Sequence, residues 1–274
     1  RASLFNVGIL VGSQAEGATG EEQKRLARES AQAFQVYLAE AGPNDENASA
    51  GRSSLARMLS LAGDTAAVRQ TYAAVLENPS AYGEYDLIQA GLAASRAGRD
   101  ADAVKIFKAA TAMNAYSRDA TYNLAASLFN AQRYTEAVPV VKRLVEIDPN
   151  NAESWRIMAG VYQGLAKATK SVAQQKALND TLLTAFNKYD KMPTVVNIRA
   201  FTHEGAKHTL KGTLENRGTA AGNYDVNVEF LDRNGNVVAT GTTKVGPVAP
   251  KGKADFTVQV EKEGIVGFRY AALK

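Results

Sequence analysis

The 274-residue sequence contains no cysteine, which excludes disulfides, thiolate metal sites and cysteine nucleophiles. It has only two histidines, His203 and His208. Their five-residue separation places them on opposite faces if the segment is a single strand. Neither an HExxH motif nor a third ligand accompanies them, so no metal site is expected. No apolar run approaches the roughly 20 residues needed to cross a bilayer. Charge of one sign is not concentrated either: 32 Lys and Arg against 28 Asp and Glu give +4. The densest basic group is Lys167, Lys170, Lys176, Lys188 and Lys191. It is spaced as a solvated helix face, not as the aromatic-interleaved stripe that nucleic acid requires.

Signatures of catalysis are also missing. There is no GxSxG elbow, and no nucleophile is paired with a base and an orienting group. Glu21-Glu22 fall at a helix start, where carboxylates offset the helix dipole. The segment Gly12–Thr19 has the glycines of a phosphate loop, but Ala18 stands where such a loop needs Lys. It reads as a plain helix–helix loop, and a loop from Glu16 to Gly20 is expected to lead into the second helix. Asp232-Arg233-Asn234-Gly235-Asn236 opens like a calcium loop, yet Val237 and Thr243 hold the places of its Gly and bidentate Glu. The reading there is a hairpin turn, since Asn-Gly between apolar strands is a strong hairpin signal. No catalytic residue, cofactor or metal ligand is therefore expected.

What the chain does have is a repeat. A hydrophobic content of 45% and a length of 274 residues suit a soluble protein of two domains. Segments opening at Glu84, Arg118 and Ala152 are offset by 34 residues. Gly91, Ala125 and Ala159 recur at one repeat position and Ala103 and Ala137 at another, small residues that let paired helices approach closely. Phe107, Val141 and Leu144 are the bulky partners that fill the space between hairpins. Pro149 stops the second helix of its hairpin, and Pro139 is expected near that helix's start, where a missing N–H is tolerated. Weaker copies precede these. Gly8 and Val11 belong to a first helix, and Ala31, Phe34, Leu38 and Pro43 to a second. Leu55, Ala56, Leu59 and Gly63, then Ala67, Tyr72 and Pro79, form another pair. After Tyr162 a lysine-rich extension through Gln175 replaces the turn, and the helix resumes around Leu178 to end at Pro193.

The stretch from Ala120 to Asn151, ATYNLAASLFNAQRYTEAVPVVKRLVEIDPNN, resembles a tetratricopeptide repeat, and Trp155, Ala159 and Tyr162 occupy that family's first-helix positions. The resemblance implies a helical solenoid of about five hairpins over residues 1–193, with the best repeats at 84–117, 118–151 and 152–193. It also implies a concave groove for a protein partner. The groove positions carry over to Tyr85, Ile88, Leu92, Asp119, Tyr122, Asn123, Phe129, Glu153, Arg156 and Gln163. Chaperone-binding members carry a Lys, Arg and Asn clamp. Only Asn123 matches it, the other places being Ile88, Leu92, Glu153 and Ile157, so a chaperone-tail receptor is not implied.

From Thr194 the hydrophobic period changes from 3.6 to 2, with six or seven short segments separated by Gly, Asn and Pro turns. This indicates an antiparallel β-sandwich over residues 194–274, immunoglobulin-like in class. Gly212, Asn216, the Val226, Val228, Phe230 strand with Leu231-Asp232, Asn234-Gly235, Pro250 and Phe256 are similar to the FxLYD-type domain of bacterial and archaeal surface and periplasmic proteins. Leu231 stands where that domain has Tyr. The expected whole is an α + β multidomain protein. Its expected function is a non-catalytic, extracytoplasmic protein–protein interaction module, an accessory, scaffold or assembly subunit of a membrane-associated complex. The start at Arg1 without an initiator Met leads us to expect a removed signal, an anchor or further chain upstream. Two other readings stay open: a cell-envelope protein whose sandwich binds glycan or another surface component, and the regulatory part of an enzyme whose catalytic domain precedes Arg1.

Overall fold

The structure, a computed structural model, describes residues 2–41, Asp45 and residues 47–273; Pro43 lies outside them. The chain divides into two compact units, residues 1–110 and 111–274. That boundary falls inside a helix, well before residue 193.

The first unit is helical. Its elements are α1 (Ala2–Gly17), α2 (Gly20–Glu40), α3 (Ala48–Ala62), α4 (Thr65–Glu77), a short 3-10 turn (Pro79–Ala81), α5 (Glu84–Arg96) and most of α6 (Asp100–Met113). Successive helices pack as hairpins: α1 on α2, α2 on α3, α3 on α4 and α4 on α5. The turn between α3 and α4 shows how the sequence closes one. Gly63 adopts φ 81°, a left-handed conformation open to glycine, and its N–H and that of Asp64 return to Leu59 and Ser60 carbonyls. Asp64 then caps α4 by accepting from the Ala67 N–H at 2.9 Å. Gly91 marks a second requirement, because a Cβ there would sit 2.6 Å from the Phe107 ring. Phe107 is fully buried, so the small residue and the bulky one are two halves of one contact.

One expectation for this unit is corrected. The segment Gly12–Gly17 is helical, not loop, and only Ala18 and Thr19 separate α1 from α2. The Ala18 N–H bonds back to Gln14, and the Gln23 side chain donates to the Ala15 and Ala18 carbonyls. The helix end is thereby satisfied without a longer loop.

The second unit begins at the end of α6. It continues through α7 (Arg118–Asn130), α8 (Tyr134–Ile147), α9 (Ala152–Ala168) and α10 (Val172–Asp190). Helices α5, α7 and α9 start at residues 84, 118 and 152, the offset read from sequence. Ser117, Asn151 and Ser171 cap α7, α9 and α10. The lysine-rich extension is largely helix: α9 runs on to Ala168, Thr169–Ser171 form the break, and α10 starts at Val172. Pro139 lies in the second turn of α8, not its first. There it removes one i→i−4 bond.

Six strands follow: β1 (Thr194–Glu204), β2 (Lys207–Asn216), β3 (Gly222–Leu231), β4 (Val237–Val248), β5 (Lys253–Glu261) and β6 (Gly267–Tyr270). They form two three-stranded antiparallel sheets, ordered β1-β2-β5 and β4-β3-β6. Alternation places Val226, Val228 and Phe230 inward on β3. They share one buried cluster with Leu210, Leu214, Phe256 and Val258 of the other sheet. Asn234-Gly235 lies in a five-residue connection between β3 and β4, where the Asp232 carboxylate accepts from the N–H groups of Asn234 and Asn236. That carboxylate organises a turn, as the hairpin reading expects.

The condition under which the histidines would lie on opposite faces, a single strand, is not met. Instead of lying on one strand they end β1 and start β2, joined through Gly205-Ala206, and His203 pairs directly with His208 across the ladder. A directly paired position puts both on the same face. Their rings stack at 5.7 Å, and Phe201 stacks on His208 from the other side at 5.9 Å.

Candidate functional site

The ten residues carried over as groove positions divide between the units: three lie on α5 and seven on α7 and α9. On α5, Tyr85 is 58% exposed, while Ile88 and Leu92 are half-buried. They project on successive turns, with Leu87, Ala90, Gly91 and Ala94 turned to the core. In the second unit α7 packs on α9. Asp119, Glu153, Arg156 and Gln163 are exposed, and Tyr122 and Asn123 are half-buried.

Several of these side chains are already engaged locally. The Arg156 Nε donates to Glu153 Oε2 at 2.5 Å. The Glu153 bond, with Tyr122 and Tyr189 also close by, holds the guanidinium above the ordinary arginine range. Arg118 lies 5.7 Å from the centre of the Tyr122 ring. Asn123 donates to the Asp119 carbonyl at 2.8 Å. Phe129 has a packing role: a Cβ on Gly160 would lie 2.8 Å from its ring, and Tyr134 sits 6.0 Å from it. The α7–α9 face is therefore a polar surface with one aromatic, Tyr122, and with Phe129 beneath it.

A second constellation, absent from the sequence reading, joins the helices of the second unit to its sheets. Asn150, in the turn after α8, is 3% exposed. Its Nδ2 donates to the carbonyls of Thr194 and Leu273 at 2.8 and 3.1 Å, and its Oδ1 accepts from the Leu273 N–H at 2.7 Å. Its backbone N–H reaches the Tyr270 hydroxyl, and its carbonyl accepts from the Val196 N–H. One asparagine thus engages β1, β6 and the chain beyond β6. Beside it, Asp148 is fully buried and accepts from Arg118 Nε at 2.9 Å and from the Tyr270 hydroxyl. Burial pushes the Asp148 carboxyl up, against the pull of Arg118 and Tyr270. Burial also lowers Arg118, but Asp148 and Asp119 outweigh it and hold the guanidinium high. The Tyr270 hydroxyl is pushed well above its ordinary value by burial and by the neighbouring Asp148 charge.

The preceding turn makes a parallel contact. Asn114 donates to the Val266 carbonyl at 2.8 Å. Tyr116 lies against Gly235 and Gly267, and a Cβ on Gly267 would meet it at 2.7 Å. Arg143 covers the other side of the Tyr116 ring at 4.8 Å. Asn114 and Asp148 are one 34-residue repeat apart, as are Tyr116 and Asn150. The only available sequence signal was this pair of polar turns at one repeat position. Nothing in the period says what covers them.

Among the described residues no group of three or more His, Cys, Asp or Glu side chains is placed to hold a metal ion. No described helix is long and apolar enough to cross a membrane.

Residues 88–152 match the family model of the tetratricopeptide repeat. No curated protein matches the chain. Similar solved structures include a MamA protein, 13% identical, which covers 70% of this chain and 96% of its own, with a TM-score of 0.44. Another is a tetratricopeptide repeat protein from Parabacteroides merdae, 10% identical, covering 67% of this chain and 68% of its own, with a TM-score of 0.45.

Proposed function

We propose that the chain is a non-catalytic protein–protein interaction module in which the inner faces of the repeat helices hold a partner. The supporting observation is the tetratricopeptide match over residues 88–152, which takes in most of α5 and all of α7 and α8 and ends at the first residue of α9, together with the exposed faces of α5, α7 and α9. These faces expose Tyr85, Asp119, Arg156 and Gln163, while the core residues of the same helices are turned away. Aromatic and arginine side chains of this kind are enriched among the residues that dominate binding energy. In this reading residues 1–193 form the repeat domain. Residues 194–274 form an immunoglobulin-like, FxLYD-type sandwich that adds a contact surface or a spacer. The setting is extracytoplasmic, on a membrane-associated complex whose subunits are the partners.

The test is affinity capture from native membranes with the wild-type chain and a Tyr85→Ala, Tyr122→Ala, Arg156→Glu triple variant in parallel, read by quantitative mass spectrometry. The reading expects a partner set that the wild type retains and the folded triple variant loses at least tenfold. Equal recovery by both chains, or recovery of the bait alone at every salt and detergent condition, overturns it.

A further inference from the structure

The α5 stripe that carries Tyr85, Ile88 and Leu92 continues for one more turn. Steps of three, four and four residues bring Arg96 onto the same side of the helix, and its side chain is exposed. Helix α3 runs beside α5 in a fixed register: Ser49 bonds to Asp86, and the Ser53 hydroxyl donates to Gln89 Oε1 at 2.6 Å. One turn beyond Ser53, Arg57 pairs with Glu16 of α1 at 2.5 Å. Arg96 has no carboxylate partner among the described residues. Partial burial lowers its pKa, the charge of Arg57 lowers it further, and Glu16 opposes both. Two guanidiniums therefore share a single carboxylate, and one positive charge is left over. Beside the Arg57–Glu16 pair a cleft of about 180 Å³ opens between α1 and α3, with Ser13 and Ser54 in its walls.

A single exposed arginine is ordinary. Like charges with too few counter-charges are not, because each makes the other harder to keep ionised, and an arriving anion relieves both. Carboxylates meet guanidinium groups through charge-assisted and often paired hydrogen bonds, the strong class of such contacts. The apolar part of the stripe fixes the spacing. Tyr85 and Arg96 lie 11 residues apart, about 16 Å along a helix that rises 1.5 Å per residue. An extended chain spans that distance in about five residues. We propose that the groove of the first unit takes an extended partner segment with an apolar residue at Tyr85 and Ile88 and, about five residues away, an Asp or Glu at Arg96 and Arg57. This rests on the groove reading above and gives its partner a chemistry. Neither arginine stands at a chaperone-clamp place.

Fluorescence polarisation with the 274-residue chain and labelled, C-terminally amidated decapeptide pools tests it. Each pool fixes Leu at position three, carries Asp, Asn or Lys at position eight, and mixes Ala, Ser and Thr elsewhere. The Asp pool is expected to bind at least tenfold more tightly than the Asn pool, with the Lys pool weakest. Added salt narrows the gap because the charge term is screened. Arg96→Ala is expected to bring the Asp pool down to the Asn level, and Arg96→Glu to make Lys the preferred residue. Circular dichroism verifies the fold, and Arg57→Gln, which removes the excess charge without touching α5, replaces any Arg96 variant that fails this check. Equal binding of the Asp and Asn pools overturns the inference. So does an Asp preference that these substitutions leave intact, or no binding by any pool. In each of these cases the groove reading is still decided by the capture experiment above, whose triple variant keeps Arg57 and Arg96.

Discussion

The turns that close successive hairpins occupy one position of the repeat and meet different fates. In the first unit, the turn around Asn78-Pro79-Ser80 is largely solvated, and the Ser80 hydroxyl reaches only the neighbouring Asn78 side chain at 2.9 Å. In the second unit, Asn114 and Ser117 of one turn and Asp148, Asn150 and Asn151 of the next are buried, and Asn114 and Asn150 bond to the backbone of Val266, just before β6, and of Thr194 in β1. The helices on either side are alike in length, though α5 follows Gly83 without a side-chain cap where Ser117 and Asn151 cap α7 and α9. The difference lies in what the turn must satisfy. An exposed turn is solvated by water, whereas a buried one needs a protein partner for every donor and acceptor. Asp, Asn and Tyr at 148, 150 and 116 meet that need. The comparison shows that a repeat can be degenerate at its turns and still be under strong local constraint.

The sharpest way to break the comparison is to remove a side chain at equivalent turns. Asp148→Ala leaves the Arg118 guanidinium, largely buried, with only the exposed Asp119 carboxylate, and also deprives the Tyr270 hydroxyl of its acceptor. Breaking a buried pair from one side costs about 3–5 kcal/mol. Ser80→Ala, in the solvated turn, is expected to change stability by less than about 0.5 kcal/mol. Urea unfolding followed by Trp155 fluorescence reads the second unit, because Trp155 lies on α9 with its Nε1–H on the Pro149 carbonyl. Loss of stability below about 1 kcal/mol for Asp148→Ala would show that the buried cluster is not a constraint.

Much of this architecture was legible and some was not, for identifiable reasons. Helix starts at Glu84, Arg118 and Ala152 followed from small residues that must recur where helices touch, so packing wrote a period into the chain. The six strand segments followed from alternation, as in Val226, Val228 and Phe230. The junction was hidden because hydrogen bonds such as Asn150 to Thr194 and Leu273 join residues 44 and 123 positions apart, and separation on that scale leaves no periodic trace. The helix–helix loop expected over Gly12–Thr19 shrinks to Ala18-Thr19 because glycine does not break α1. In α1 it serves close packing, with Phe34 against Gly8 and with Ser30 and Met58 against Gly12. The facing of the two histidines was open in the sequence, because it depends on whether a two-residue hairpin interrupts the strand. Of the ten groove positions, Phe129 also makes a packing contact, its ring lying against Gly160.

A smaller effect sharpens the contrast inside the second unit, between its well-satisfied junction and the opposite end of its sheets. His208 is 5% exposed, and its Nδ1 has no hydrogen-bond partner. Burial lowers its pKa below the ordinary histidine value of 6.5, and the nearby His203 adds to the effect. A bond with the Lys262 backbone acts in the opposite sense. The unfolded chain therefore binds a proton that the folded chain resists, and stability rises with pH across that window. The contribution is present above pH 6.5 and is lost as pH falls toward the folded value. Melting followed by Trp155 fluorescence is expected to give a lower Tm at pH 5 than at pH 7. In His208→Leu that pH-dependent difference is expected to shrink, and an unchanged difference assigns the acid sensitivity elsewhere.

The smallest effect concerns the loop that ends the first helix of each hairpin. Gly98 and Gln132 are 34 residues apart and both adopt the left-handed conformation, at φ 68° and 57°. In each case the following N–H returns to a carbonyl five residues earlier, Arg99 to Ala94 and Arg133 to Leu128, both at 2.9 Å. Geometry is therefore the same in the two repeats and only the residue differs. A side chain in this conformation costs roughly 1 kcal/mol that glycine avoids, partly offset by glycine's greater freedom when unfolded. Gln132 is exposed, so its replacement removes little packing. Gln132→Gly is expected to stabilise the second unit by about 0.5 kcal/mol in the Trp155-detected urea transition. The reciprocal Gly98→Gln is expected to destabilise the first unit by a similar amount, read by circular dichroism. If both substitutions lowered stability, side-chain contacts at position 132 would outweigh the backbone term, and the two loops would be alike in shape but not in energetics.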